Sequence, residues 1–386
     1  MNDTNETEDN LIEMDAMMKS MQEAMEDIVS RLSDKYGFDK AEALLTLQRE
    51  ASLMEEKEEK EEKDSSYEYL KYCCTKETLR ATIDLYGVAI IPNVLSEEEC
   101  VKVVDGIWDF FEHITQEWFI PIKRSVEASW KGFYKLYPMH SMLVQHWGVG
   151  HAQVSWDLRQ NKKIIDIFAH FWKCAPKDLL VSFDGLSFNL PPEVTQRGWN
   201  KQNTWYHTDQ TYTQNEFQCI QSWVTGLDVN DGDATLAVME GSNKFHKECG
   251  EVFQIKDKGN WYKLNKEQEA FYLAKGCSYK NIKCPKGSLV FWDSRTIHCG
   301  VEALKTRAKP NFRAIVYLCY MPRALCSAVN LKKKQKAFEE LRATSHWPSK
   351  PTLFGKSPQT YGGEMPVVTP VLKPRLNELG LKLAGF

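Results

Sequence analysis

The stretch Trp205-Tyr206-His207-Thr208-Asp209-Gln210 carries a His-x-Asp pair, and Phe291-Trp292-Asp293-Ser294-Arg295-Thr296-Ile297-His298 carries a further His beyond a long insertion. Two imidazoles and one carboxylate on one face of a metal are the ligand set that holds non-haem Fe(II) for oxygen chemistry. The set leaves three positions open, which a chelating α-keto acid and O2 can fill. A His-x-Asp spacing suits a strand running into a loop, because side chains at i and i+2 project the same way. A chain using this set must therefore bring two sequence-distant segments side by side. A His-x-Asp also arises by chance among nine His, and His246-x-Glu248 competes with it in this chain.

The surroundings of His298 narrow the choice. Cys284-Pro285-Lys286-Gly287-Ser288-Leu289-Val290-Phe291-Trp292-Asp293 reads as a turn followed by a short apolar strand. After it, Arg313-Ala314-Ile315-Val316-Tyr317-Leu318-Cys319-Tyr320-Met321-Pro322 reads as a second strand with an arginine at its start. Period-2 alternation puts Arg313, Ile315, Tyr317 and Cys319 on one face. If that face lines an interior, the guanidinium of Arg313 needs an anionic partner. The distal carboxylate of 2-oxoglutarate suits it in bidentate geometry. Arg307, in the loop-like Lys305-Thr306-Arg307-Ala308-Lys309-Pro310, is the rival for this role.

From about Glu77 to Arg323 the sequence resembles the phytanoyl-CoA dioxygenase-like (PhyH) family of Fe(II)/2-oxoglutarate-dependent oxygenases. Gly87-Val88-Ala89-Ile90-Ile91-Pro92-Asn93-Val94-Leu95-Ser96 is similar to the family's opening strand and helix cap. His207-x-Asp209 matches its proximal iron pair and His298 its distal ligand. Leu236-Ala237-Val238-Met239-Glu240-Gly241-Ser242 resembles its hairpin, with Asn243 where the family usually has His. The resemblance implies a mixed α/β, mainly β fold: a double-stranded β-helix (jelly-roll, cupin-like) core with flanking helices. It implies Fe(2+) and 2-oxoglutarate as cofactors, with ascorbate as a candidate reductant, and His207, Asp209 and His298 as metal and catalytic residues. Arg313, Arg307, Asn189 and Gln202 are the candidates for holding the keto acid. The implied reaction is hydroxylation of a small or acyl-type substrate with release of succinate and CO2. Halogenating relatives lack the carboxylate, which Asp209 supplies here. Two other readings stay open: a catalytically inactive jelly-roll binding module, and a cupin-type metalloenzyme that does not use 2-oxoglutarate.

Charge is unevenly spread over the 386 residues, whose formal net charge is −4. Residues 1–66 hold 20 acidic and 8 basic residues, whereas residues 331–386 hold 10 basic and 4 acidic ones. Within the acidic segment, Leu11, Met14, Met18, Met21, Met25, Ile28 and Leu32 follow a 4-3 spacing, a Met-rich coiled-coil-like seam. A second helix is expected from about Asp39 to Met54, with Gly37 as the break. Three parts follow: an N-terminal helical appendage and linker over 1–66, an oxygenase domain over 67–323, and a basic, Pro-rich extension over 324–386 packing on that domain. Residues 11–54 are the candidate surface for self-association or a protein partner. The cluster Lys332-Lys333-Lys334-Gln335-Lys336 lacks the interleaved aromatics of a nucleic-acid site and reads as a solvated helix face.

No apolar run has the length needed to span a bilayer. The start is acidic and polar rather than a secretory signal, and Ala384-Gly385-Phe386 is not a peroxisomal tripeptide. The 11 Cys show no Cys-x-x-Cys and read as reduced thiols, which together point to the cytoplasm.

Four further segments carry expectations. Ser96 and Glu99 form a capping box before a helix whose Val101, Val104, Trp108 and Phe111 read as core. The region 117–157 is rich in Trp, Phe and Tyr, which either wall a pocket or pack helices on the sheets. Leu180–Asn189 reads as a strand pair, or as one bulged strand, with a turn at Asp184-Gly185. The polar insertion from Cys249 to Cys284 reads as a lid.

Overall fold

The computed structural model describes residues 67–137, 143–201 and 204–386. The acidic segment 1–66, with its expected helices, and Gln202 lie outside the described residues.

Strands dominate the interior. They are β1 (Tyr67–Glu68), β2 (Val88–Ile91), β3 (Leu179–Val181), β4 (Leu186–Asn189), β5 (His207–Thr208), β6 (Ile220–Thr225) and β7 (Thr235–Glu240), followed by β8 (Tyr262–Lys263), β9 (Ser278–Ile282), β10 (Leu289–Asp293), β11 (His298–Val301), β12 (Arg313–Leu318) and β13 (Tyr320–Pro322). One sheet has the order β1-β9-β7-β11-β5-β8, the second β2-β10-β6-β12-β4, and β13 pairs with β3 apart from both. All pairings in the two main sheets are antiparallel except β1 with β9. From β4 to β7 and again from β9 to β12 the chain alternates between the two sheets, so neighbours in sequence there lie across from one another, while β7, β8 and β9 all stay in the first sheet.

The central strands are buried on both faces, which is why they read as continuous apolar runs. In β10, Leu289 and Phe291 join the large core beneath the helices, while Val290 and Trp292 point to the other face. In β12, Ala314, Val316 and Leu318 face the helices. Arg313 and Tyr317 face a cavity, with Ile315 in the smaller core beside Trp223. Cys319 lies past the end of β12 and packs with Cys219, Met321 and Trp347 instead.

The helix Glu97–Ile114 begins as its capping box dictates: the Glu99 amide donates to Ser96 Oγ, and the Ser96 amide donates to Glu99 Oε2. Its buried stripe runs through Cys100, Val103, Ile107, Trp108, Phe110, Phe111 and Ile114. Val101, expected in the core, is 58% exposed. Trp108 and Phe111 are buried as expected and Val104 is partly buried against the core, so only Val101, near the helix start, points away from it.

The described aromatics of 117–157 lie outside the lining of the large cavity, which takes only Leu143 and Gln145 from this region, while Trp130, Phe133, Tyr134 and Tyr137 line a small separate one. Trp130 and Phe133 join Trp108, Phe111, Phe188 and Phe312 in edge-to-face and stacked contacts against β4. Leu180–Asn189 does form two strands, but β3 pairs with β13 and β4 with β12, so the Asp184-Gly185 turn passes the chain to another sheet. The 249–284 insertion is structured: it holds the helices His246–Val252 (in part) and Lys266–Ala274, plus β8 and β9, and β9 is a full member of the first sheet. Its contribution to the cavity is confined to Asn260 and Trp261. Residues beyond β13 wrap the sheets. Lys334 Nζ donates to the Val181 carbonyl, and His151 Nε2 meets the Arg342 carbonyl. Among the described residues no helix is long and apolar enough to cross a membrane.

Two expected outcomes test this packing. Ser96→Ala removes the acceptor for the Glu99 amide and should lower unfolding free energy by about 1 kcal/mol, read from the urea midpoint. His151 and His246 are buried, and burial pushes them down to about 3 and about 4 respectively. The unfolded chain protonates both near 6.5, whereas the folded chain does not, so folding strength is present above about 6.5 and lost as pH falls toward 4. Each contributes at most about 1.4 kcal/mol per pH unit in that window. Denaturation midpoints at pH 7.5 and 5 should differ, and His246→Gln should flatten the slope.

Candidate metal and keto-acid site

β5 is short and ends at Thr208, so Asp209 follows directly and turns to the same side as His207. His298 opens β11, which is the partner of β5, and the two imidazoles face one another in register. Their ring centroids lie 4.4 Å apart. One ligand atom from each of His207, Asp209 and His298 lies within 4.8 Å of the others, and all three residues are buried. His298 Nε2 is 3.2 Å from Asp209 Oδ2, and His207 Nε2 is 3.8 Å from Asp209 Oδ1.

Both rings are held by their other nitrogen. His207 Nδ1 meets the Trp205 carbonyl at 3.1 Å, and His298 Nδ1 meets the Thr296 carbonyl at 2.8 Å. A carbonyl only accepts, so each Nδ1 carries the proton and each Nε2 presents a lone pair to the site. Gln221 Nε2 donates to Asp209 Oδ2 at 2.9 Å. Trp292 Nε1 donates to His298 Nε2 at 3.2 Å, the lone pair that a metal would take. Trp205 stacks on His207 with centroids 4.7 Å apart and 8° between planes.

Protonation suits a cation. Burial, with His298 beside it, lowers His207 to about 4, so it is neutral near pH 7. Burial opposes the charge of Asp209, but His346, His207 and His298 outweigh it and hold the carboxyl well below its ordinary range. Two imidazoles presenting Nε2 and one carboxylate form a donor set that fits a divalent transition metal.

These residues line a cavity of about 1090 Å³ between the two sheets. Arg313 lines it too and is 5% exposed. Its Nε donates to Ser187 Oγ at 3.0 Å and its Nη1 to the Ala234 carbonyl at 2.8 Å, over the Trp223 ring. Burial lowers its pKa, and Tyr317 offsets part of that. No carboxylate pairs with it among the described residues. Arg307 lies outside this cavity, where Glu193 and Asp233 take its guanidinium. Asn189 stands opposite Arg313 in the β4–β12 pairing and accepts from Ser187 Oγ, also outside the cavity lining. His246 stacks on Tyr212, and Glu248 pairs with Lys275 at the surface, so the competing His-x-Glu holds no metal position.

Sequence reasoning missed several lining residues. Gln221 sits in the apolar run of β6, Asp184 in a turn, and Ser345, His346 and Trp347 in the C-terminal part of the chain. Two signals were available: a lone Gln in a buried strand, and the polar-aromatic Arg342-Ala343-Thr344-Ser345-His346-Trp347-Pro348 within an irregular region.

Comparison with known proteins found several relatives. An Aspergillus versicolor protein, Ava biosynthesis cluster protein O, is 27% identical over 270 residues, covering 68% of this chain and 83% of its own. The crystal structure of a hypothetical protein, JW0805, from Escherichia coli shares the fold at a TM-score of 0.51, with 13% identity and 96% of each chain covered. EvdO2 from Micromonospora carbonacea var. aurantiaca, solved in complex with 2-oxoglutarate, aligns at a TM-score of 0.37 and 16% identity, over 64% of this chain and 89% of its own. The sequence model described as phytanoyl-CoA dioxygenase (PhyH) matches residues 83–303, a span that holds His207, Asp209 and His298. The chain belongs to the phytanoyl-CoA dioxygenase (PhyH) family.

Proposed function

We propose that this protein is an Fe(II)- and 2-oxoglutarate-dependent dioxygenase that hydroxylates a small or acyl-type organic substrate, with succinate and CO2 as co-products. The observation that carries this reading is the pairing of a buried His207/Asp209/His298 cluster with a buried Arg313 that has no carboxylate partner among the described residues, both on one cavity. Supporting it, the crossing of the chain between sheets reads as a double-stranded β-helix. We read residues 67–323 as the oxygenase domain, 324–386 as an extension packed on it, and 1–66 as a helical segment for self-association or a partner. The reading places the protein in the cytoplasm.

Each residue then has a physical task. His207 and His298 offer Nε2 lone pairs, because a backbone carbonyl fixes the tautomer of each ring. Asp209 supplies the negative ligand, with Gln221 orienting its carboxylate. Arg313 binds the distal carboxylate of 2-oxoglutarate, and Ser187 and Ala234 hold the guanidinium in place. Trp205 and Trp261 flank His207 and limit water at that edge. Bound iron with 2-oxoglutarate would supply the activation of O2 that no side chain here can perform.

Anaerobic titration of the metal-free protein with Fe(II) and 2-oxoglutarate tests this. Wild type should develop a visible metal-to-ligand charge-transfer band, and His207→Ala should not. Arg313→Ala should keep the band but weaken 2-oxoglutarate affinity by roughly 10- to 100-fold, the loss of about 1.5–3 kcal/mol from a charged contact. Absence of the band in folded wild-type protein would overturn the proposal in favour of a binding module or a metalloenzyme that does not use 2-oxoglutarate.

A further inference from the structure

One wall of the cavity comes from a segment beyond the reach of the family match, which ends at residue 303. Residues 343–354 double back on themselves: the Phe354 amide donates to the Ala343 carbonyl, and the Ser345 amide to the Thr352 carbonyl. The Arg342 guanidinium closes the base on the Phe354 carbonyl. The Thr344 amide donates to the Phe183 carbonyl, and Trp347 packs on Cys219, Cys319 and Met321. This hairpin is thus fixed to the sheets, and it presents Ser345, His346, Trp347, Lys350 and Thr352 to the cavity.

Its polar groups are incompletely satisfied. His346 Nε2 and Trp347 Nε1 are both shielded from solvent, and neither has a hydrogen-bond partner among the described residues. A third such atom on the same lining is Arg197 Nη1. Leaving a buried donor unpaired is unfavourable, so consecutive orphans call for a ligand. Indole and guanidinium nitrogens can only donate, and His346 can donate through Nε2. The missing partner of Trp347 Nε1 and Arg197 Nη1 is therefore an acceptor, which the Nε2–H tautomer of His346 also meets. Lys201 and Lys350 add positive charge to the lining, against Asp184, Asp209 and Glu302. His346 lines the same cavity as His207, Asp209 and His298, which puts this wall and the metal site on one cavity. Trp199, Trp205 and Trp261 supply flat apolar surface for the rest of a ligand.

We propose that His346 and Trp347 form a carboxylate-recognising wall, with Arg197 as a further donor. An organic anion with an apolar body is held there for oxidation. This deepens the dioxygenase reading and rests on it for the word oxidation. The wall itself requires only the orphaned donors. Two carboxylates could meet it, that of the substrate and that of 2-oxoglutarate.

The test uses the full chain as wild type, His346→Ala and Trp347→Phe; the last keeps the packed ring and removes only the N–H. Calorimetry follows 2-naphthoate, and its neutral analogue 2-naphthylmethanol, binding to the anaerobic Fe(II)/2-oxoglutarate form. The charge-transfer band follows 2-oxoglutarate. The expected result is a loss of 2-naphthoate affinity of about tenfold or more in both variants, with 2-naphthylmethanol and 2-oxoglutarate unchanged. A similar loss for 2-oxoglutarate instead would assign the wall to the co-substrate. Unchanged affinities in Trp347→Phe and in folded His346→Ala would overturn the proposal. So would failure of wild type to bind 2-naphthoate while 2-oxoglutarate is indifferent to both substitutions. If wild type shows no charge-transfer band, the dioxygenase reading fails alone, because 2-naphthoate binding to the metal-free protein still reports the wall.

Discussion

Asp209 is a carboxylate kept charged where almost no water reaches it. Burial alone would push it toward the protonated form. Two imidazoles, a third His close by and the amide of Gln221 reverse that outcome. Much of the architecture around β5, β6 and β11 is needed to put these groups on one point. β5 and β11 must pair in register to set His207 against His298, and the second sheet must lie close enough for Gln221 of β6 to reach across. Arg313 poses the same problem in the opposite sign, a guanidinium in the interior whose protein contacts are a hydroxyl, a carbonyl and a phenol. A cavity with fixed charge of both signs at separate places has the physical character of a site for a bound anion and a bound cation.

The turn before His298 is held from a distance. Gly87 ends the helix Leu79–Tyr86 with φ of 77°, a backbone conformation natural to glycine. Its carbonyl accepts from the Asp293 amide and from Thr296 Oγ1, and a Cβ there would sit 2.5 Å from that oxygen. Ser242 Oγ accepts from the Ile297 amide, one residue before His298. Asn243, in place of the family's usual His, donates to the carbonyls of Ile83 and Asp84 and so joins this loop to the same helix. The metal-side geometry thus depends on contacts among the opening helix, the β7 hairpin and the β10–β11 turn.

Several features were legible from local pattern. The capping box at Ser96 and Glu99 follows from side-chain reach over one helical turn, and the alternation of β12 follows from the strand period. In the helix Glu97–Ile114, Trp108 and Phe111 were read correctly as core and Val104 lies partly buried against it, whereas Val101, near the helix start, faces solvent, because the packing partners and not apolar character alone decide what is buried. The 249–284 insertion looked like a lid since its residues are polar. Its β9 is an only partly buried strand, and its pairing with β7 is a long-range fact. The aromatic run at 117–157 could not be assigned to pocket or packing until its neighbours, Phe188 and Phe312, were known.

The sequence by itself determined the chemistry available: a His-x-Asp, a distal His, and an arginine opening a β strand, with residue types and spacings that follow from short-range geometry. Only the tertiary structure decided which of these meet. It separated Arg313, on the cavity, from Arg307, neutralised by Glu193 and Asp233. It brought Gln221, Asp184, His346 and Trp347 to a lining no local pattern connects. The physical reason is that burial, and with it the cost of an unpaired charge or donor, is a property of the closed fold and not of any segment alone.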